Sequence, residues 1–156
     1  RALNSNALLL LDRIHDPGNL GLIQRTAEAA GVGALFLSSG SVEPYNPKVV
    51  RASRGTLFRL PVFRNEDLPA LIQDLRDCSV SVYSTHLEGT PFYEIAPPDR
   101  FALLLGNETF GIDPALDALA DKTVTIPMAR GVNSLNVAVA AGILLFSFRE
   151  PRRENA

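Results

Sequence analysis

The sequence predicts an α/β protein, a mostly parallel sheet with helices on both faces. Two observations lead there. Short apolar runs with almost no polar interruption recur along the chain, the pattern of strands buried on both sides. Segments with helical spacing alternate with them, and that alternation is how crossover units build a parallel sheet. A third observation bears on function. The loops leaving several of these runs are polar and contain glycine, and in open parallel sheets ligands gather where strands end and such loops begin.

Ala7 to Ile14 reads as the first strand, and the loop RIHDPGNLG leads from it into a helix over Asn19 to Ala30. Asn19 is the expected N-cap after Pro17-Gly18, and Gly31 the expected left-handed stop. Ala34 to Leu37 follows as a strand, Pro47 to Ser53 as a short helix and Leu57 to Phe63 as the third strand. Glu66 to Asp77 spaces Leu68, Leu71, Ile72 and Leu75 for one helix face, with acids early, where the helix dipole favours them. Val80 to Tyr83 opens into YSTHLEGT, Phe101 to Leu105 into LGNETFG and Val124 to Ile126 into IPMARGVNSLN. A brief helix over Pro114 to Ala120 precedes the last of these strands. A final helix from about Leu135 to Phe148 is expected to be covered on every side between Val137 and Phe146, and Pro151 to Ala156 to form a disordered tail. Neither an internal repeat nor a low-complexity segment is present.

With 156 residues, 46% of them hydrophobic, one domain with a sizeable core is the natural expectation. No apolar stretch reaches the ~18 residues of a membrane span, so the protein is expected to be soluble, with no membrane partner. A lone cysteine, Cys78, forms no internal disulfide, and neither it nor His15 and His86 has zinc-ligand spacing, which points to a reducing cytoplasm and no metal. The chain opens on Arg1 without a signal-peptide pattern, which suggests a trimmed protein with a domain missing upstream. A net charge of -2 argues against a globally basic nucleic-acid binder. Between Pro44 and Asn65, however, Lys48, Arg51, Arg54, Arg59 and Arg64 supply five of the fifteen basic residues with no Asp or Glu among them. Charge counting leaves that segment open as a nucleic-acid contact or as ordinary solvated surface.

The loop Asp16 to Gly21 lacks both the Lys-Ser/Thr of a P-loop and the G-x-G-x-x-G of a dinucleotide site, which leaves a phosphate cradle unsupported and argues against a nucleotide-dependent oxidoreductase. Arg25 shares a helix face with Leu22 and Ala29, so its guanidinium is expected to rise from a buried stripe and to need a carboxylate or a ligand oxygen. Glu108, after the tight Gly106-Asn107 turn, is the candidate partner, and a purely structural Arg25-Glu108 ion pair is the plain alternative. Ser134 and Asn136 are two apart at a helix entrance and cannot share one helix face; one can cap, and the other must serve elsewhere. Before them, Ile126-Pro127-Met128 reads as a strand end whose proline offers no N–H, suited to gripping something flat and partly polar such as adenine. Free backbone N–H groups at the helix entrance suit a carboxylate or phosphate end of the same ligand.

Three stretches, DPGNLGLIQRTAEAAGV, LLLGNETFGI and VTIPMARGVNSLNVAVAAGILLF, in this order, resemble the three motifs of the SpoU-type RNA ribose 2′-O-methyltransferases of the SPOUT superfamily. NPKVVRASRGTLFRLPV is similar to the family's second helix-and-strand segment, and the likeness runs from about Leu8 to Phe148. The resemblance implies a C-terminal deep trefoil knot, S-adenosylmethionine as methyl donor, a ribose 2′-hydroxyl of ribosomal or transfer RNA as acceptor, with ribosomal RNA favoured, and a homodimer whose site borrows residues across the interface. It implies a catalytic domain over residues 1–150, with a separate RNA-recognition domain upstream. By motif position it assigns Asn19, Arg25, Glu108, Ser134 and Asn136 to catalysis. Cofactor contacts fall on Thr85, Leu105, Gly106, Asn107, Ile126, Met128, Ser134 and Leu135, and RNA contacts on Arg25, Lys48, Arg51 and Arg54. A relative that keeps the fold and binds RNA without catalysis is the competing reading, and intact Asn19, Arg25, Glu108, Ser134 and Asn136 argue against it.

Overall fold

The computed structural model describes residues 2–96 and 98–149; the tail predicted at 151–156 lies outside them. Seven strands, β1 (Ala7–Leu11), β2 (Ala34–Ser38), β3 (Val62–Glu66), β4 (Ser81–His86), β5 (Thr90–Pro91), β6 (Phe101–Leu105) and β7 (Lys122–Thr125), form one sheet in the order β3-β2-β1-β6-β4-β7-β5. Every pairing among them is parallel. Side chains alternate across that sheet, so Leu9, Leu11, Leu35 and Leu103 face one core, with helices α1 (Pro17–Ala29), α2 (Pro47–Ser53) and α5 (Val137–Arg149). Leu8, Leu10, Phe36 and Leu104 face a second core, under α3 (Leu68–Asp77) and α4 (Pro114–Asp117). Burial on both faces is why these strands are apolar at every position. No helix among the described residues is long and apolar enough to cross a membrane.

Several boundaries differ from the sequence expectation, each for a local reason. β1 stops at Leu11, because Arg13 turns left-handed at φ 52°. α1 begins at Pro17, where a missing N–H costs nothing, and its N-cap is Asp16, not Asn19: the Asp16 carboxylate accepts from the Asn19 backbone N–H at 2.7 Å. Asn19 therefore sits within the first turn with its side chain available for other work. The strand expected over Leu57 to Phe63 is a 3-10 turn, Thr56–Phe58, followed by β3 from Val62. Two consecutive left-handed residues, Arg54 at φ 53° and Gly55 at φ 84°, end α2 and swing the chain away from a strand path. α3 starts at Leu68 with Asp67 as its cap, which leaves Glu66 in β3 and puts the expected first-turn acids outside the helix. α4 is only Pro114–Asp117, and β5, at two residues, is too short for any periodicity to announce it.

α5 departs most. It begins at Val137, not Leu135, and it is not covered all round: Val139 is 50% and Phe146 51% exposed. α1, which packs beside α5, leaves Leu22 47% exposed as well. Gly21 faces α2, where a Cβ would overlap the Ala52 side chain and the Val49 carbonyl, so the close approach of α1 and α2 requires glycine at this point.

Gln24 lies on the inner side of α1 at 0% exposure, and neither its Nε2 nor its Oε1 meets a protein partner among the described residues. A buried amide without partners forfeits its hydration and gains nothing in return. Gln24→Met, of similar shape, is therefore expected to raise stability by about 1–2 kcal/mol in chemical denaturation. A loss of stability in that variant would show that Gln24 is satisfied after all.

Candidate active site

The chain runs outward from β1 through β2 to β3, then returns to place β6 on the other side of β1. Loops leaving β1 and β6 consequently part at their carboxyl ends, the position where open parallel sheets form crevices. A cleft of about 530 Å³ opens there. Thr85 from β4, Leu105 at the end of β6 and Gly106 with Asn107 beyond it form one side. Ile126, Met128, Ser134 and Leu135, from the segment joining β7 to α5, form the other. Ile126 and Met128 lie past the end of β7 at Thr125, so that part of the wall is loop, not strand.

Of the residues predicted for catalysis, Asn19, Glu108, Ser134 and Asn136 line the cleft and Arg25 does not. Three of the four are wired together. Asn136 Nδ2 donates to Asn19 Oδ1 at 2.8 Å, and Asn19 Nδ2 donates to Glu108 Oε1 at 3.4 Å. The same Asn136 accepts at Oδ1 from the backbone N–H groups of Ala138 (2.9 Å) and Val139 (3.3 Å), which makes it the cap of α5. One amide thus holds the helix end with its oxygen and the first motif with its nitrogen. Ser134 is the residue freed from capping, and its hydroxyl donates to no protein group among the described residues.

Glu108 does not pair with Arg25. Its carboxylate accepts from the backbone N–H groups of His15 (3.3 Å) and Asp16 (3.1 Å), so it ties the β6 loop to the entrance of α1. The buried stripe of α1 is Leu20, Ile23, Gln24 and Ala27, and Arg25 stands on the exposed side with Leu22 and Ala29. α1 carries apolar residues on more than one face, and spacing alone does not choose which face the sheet covers. Partial burial pushes the Glu108 pKa up, but hydrogen bonds from backbone N–H groups and the Asn19 amide outweigh it, and the net shift is downward. A depressed carboxylate pKa contributes stability that is present above its ordinary value near 4.5 and is lost as pH falls through the folded value. Glu108→Gln turns an NH₂ toward one of these donors and removes the charge, an expected loss of about 1–2 kcal/mol at neutral pH that shrinks in acid. Thermal melts of both proteins that stay equally far apart at pH 3 and pH 7 would contradict this.

The turn beyond Glu108 is rigid. Asn107 and Gly111 exchange backbone hydrogen bonds (3.0 and 2.9 Å), and Asn107 Oδ1 accepts from the N–H groups of Thr109 and Phe110 at 2.8 and 3.0 Å. Asn107 Nδ2 donates to the Arg13 carbonyl at 2.7 Å, and a Cβ on Gly106 would overlap the backbone of Gly111 and Ile112. His86, Leu87 and Phe110 also line the cleft, and the sequence reading assigned them no role. They come from the polar loops YSTHLEGT and LGNETFG, and nothing in the spacing says which of those side chains turn inward.

The cationic segment divides in two. Arg59 pairs with Glu28 and Arg64 with Glu43 (2.6 Å), while Lys48, Arg51 and Arg54, on α2 and its C-cap, have no salt bridge among the described residues and are exposed. None of these three lines the cleft.

Residues 6–146 match the SpoU rRNA methylase family. The chain belongs to that family. Among its SpoU relatives is a 23S rRNA (guanosine(2553)-2′-O)-methyltransferase of Bacillus subtilis, 43% identical over 143 residues, which cover 91% of this chain and 57% of that protein. The SpoU methyltransferase AviRb of Streptomyces viridochromogenes, solved with the cofactor AdoMet, superposes with a TM-score of 0.83 at 35% identity, over 90% of this chain and 58% of that one. An AdoMet-bound rRNA methyltransferase from Sinorhizobium meliloti gives 0.84 at 36% identity, over 93% and 56% of the two chains. The SpoU chain described above therefore spans little more than half the length of these relatives.

Proposed function

We propose that this chain, over residues 1–150, is the catalytic domain of an RNA methyltransferase that transfers a methyl group from S-adenosylmethionine to a ribose 2′-hydroxyl of ribosomal RNA. The observation that carries this is the convergence of Asn19, Glu108, Ser134 and Asn136, from three distant segments, on one cleft in a SpoU chain. The relatives named for 23S rRNA support the acceptor, and those solved with AdoMet support the donor. A cytoplasmic setting fits the lone cysteine.

The cleft suits a nucleoside that bears an amino-acid tail. Its volume lies in the range of small-molecule sites, Leu105, Val124, Ile126 and Leu144 offer apolar wall, and Thr85 and Ser134 offer hydroxyls. The backbone N–H groups of Met128, Ser134 and Leu135 find no protein acceptor among the described residues, which leaves them for a ligand. Thr85, Leu105, Gly106, Asn107, Ile126, Met128, Ser134 and Leu135 would hold the cofactor, which supplies an electrophilic methyl when bound. The C-terminal trefoil knot belongs to the same reading. Its support is that the chain leaves β7, beyond β4, and returns to pack α5 against α1 and β6.

Methyl transfer needs the 2′-oxygen held close and in line with the methyl carbon, and orientation alone removes several kcal/mol of barrier. Arg25 is assigned to fix the ribose oxygen and to stabilise the alkoxide charge that develops on it. A guanidinium has no acceptor, so the hydroxyl proton leaves to substrate phosphate or water. Because Arg25 is exposed and does not line its own cleft, the site is completed in a homodimer, with Arg25 of one protomer serving the cleft of its partner. Exposed Leu22, Val139 and Phe146 on the same pair of helices are the apolar surface such a contact would cover. Lys48, Arg51 and Arg54 are assigned to RNA phosphates, a contact blind to sequence.

Calorimetry with S-adenosylmethionine, followed by radiolabelled methyl transfer into ribosomal RNA and mapping of 2′-O-methyl positions, tests the reading. Failure to bind the cofactor would remove it. Binding without transfer, in a protein extended to the length of its relatives, would leave an RNA-binding relative without catalysis.

A further inference from the structure

We infer that Phe110 is a stacking platform at the mouth of the cleft for an unpaired nucleobase of the RNA substrate, an inference that rests on the function proposed above. Phe110 lines the cleft yet is 78% exposed, two residues beyond Glu108. Exposure alone does not mark it, since Phe58 is 84% exposed; what sets Phe110 apart is a bare aromatic face at the edge of the cleft. Its exposure is not the looseness of a free loop. The turn is closed by the paired Asn107 and Gly111 backbones, the Phe110 N–H is held by Asn107 Oδ1 at 3.0 Å, and Gly111 adopts φ 72° to complete it. Glu108 anchors the same turn to the entrance of α1 through His15 and Asp16. The backbone that carries the ring is therefore ordered in advance of binding, and only the side-chain rotamer remains to be fixed on contact with a flat partner.

The chemistry of the acceptor says what that partner is. In a stacked A-form helix the ribose is held in the backbone between neighbouring bases. A-form RNA displays its 2′-hydroxyls along a wide, shallow minor groove, but seating one at the floor of a recessed cleft is favoured when its nucleotide is splayed out of the stack. Leaving the stack costs a few kcal/mol, and a flat apolar ring at the crevice mouth returns part of that by offering a new stacking surface. Every base has a π-face, so Phe110 selects for an unpaired or unstacked nucleotide without reading which base it is. Phe110 thus contributes specificity for RNA shape, separate from the phosphate contacts assigned to α2.

The chain contains no tryptophan, so Phe110→Trp places a single indole reporter at the site. Titration with a ten-nucleotide single-stranded RNA is expected to quench its fluorescence saturably, and the same strand annealed to its complement is expected to quench it far less. Phe110→Ala should weaken single-stranded RNA binding roughly 5- to 100-fold. Phe110→Leu should weaken it nearly as much, because bulk without a flat face does not stack. Affinity for S-adenosylmethionine by calorimetry and subunit association by sizing should be unchanged in all three variants. Equal quenching by duplex, quenching by S-adenosylmethionine alone, full RNA affinity in Phe110→Leu, or dissociation of subunits in Phe110→Ala would each overturn the assignment. If the unmutated protein fails to bind S-adenosylmethionine, the proposed function falls and this inference with it. If it binds the cofactor and only the RNA responses fail, the inference alone falls.

Discussion

Mixing Arg25→Ala subunits with Asn136→Asp subunits is expected to raise methyl transfer well above that of either variant alone. Arg25 does not line the cleft of its own chain and stands exposed on α1 beside Leu22, whereas Asn136 sits in the cleft. If the guanidinium serves the partner's cleft, each mixed dimer has one site lacking both groups and one site lacking neither. Random pairing makes half the dimers mixed, so recovery should approach about a quarter of the unmutated rate. Arg25→Ala by itself should lower transfer about 100- to 1000-fold, the usual effect of removing a donor aimed at a developing oxyanion, with S-adenosylmethionine affinity retained. Arg25→Lys should recover little, since an ammonium lacks the planar fork. Mixed dimers demonstrably formed yet no more active than their parents would place Arg25 in its own cleft and defeat the cross-subunit arrangement.

The second large effect separates the two jobs of Asn136. Its oxygen caps α5 through Ala138 and Val139, and its amide nitrogen reaches Asn19. Asn136→Asp keeps an acceptor at the helix entrance, where negative charge is favoured, and loses the donor. Stability should hold while transfer falls about 10- to 100-fold, because Asn19 and the Glu108 network lose their link to the third motif. Asn136→Ala should lose both, with a stability cost of about 1–2 kcal/mol. Full turnover in Asn136→Asp at unchanged stability would reduce Asn136 to a helix cap.

The strands were legible because burial on two faces leaves a continuous apolar signature, and β6 was read to its last residue. Leu57 to Phe63 misled for an understandable reason. Its composition is strand-like, but the two left-handed residues before it redirect the chain, and Arg54 carries no glycine to advertise that. Asn19 was read as a cap from residue type, when Asp16 three residues earlier does that work and leaves Asn19 for the cleft. Leu135 fell just outside its helix, since the polar turn before α5 is closed by Asn136. Membership of the SpoU family rested on three motifs whose order and composition survive in the sequence whatever the structure does.

The sequence by itself determined the alternation of buried strands and amphipathic helices, the family, and the residue types brought to one edge of the sheet, because hydrophobic period and local turn chemistry are properties of neighbours in the chain. Tertiary structure alone decided which face of α1 is covered, that Glu108 grips the α1 entrance and not Arg25, and that Asn136 joins two motifs. Those outcomes depend on which surfaces meet across more than ninety residues, and a helix with apolar residues on several faces carries no local instruction about which of them the sheet will bury.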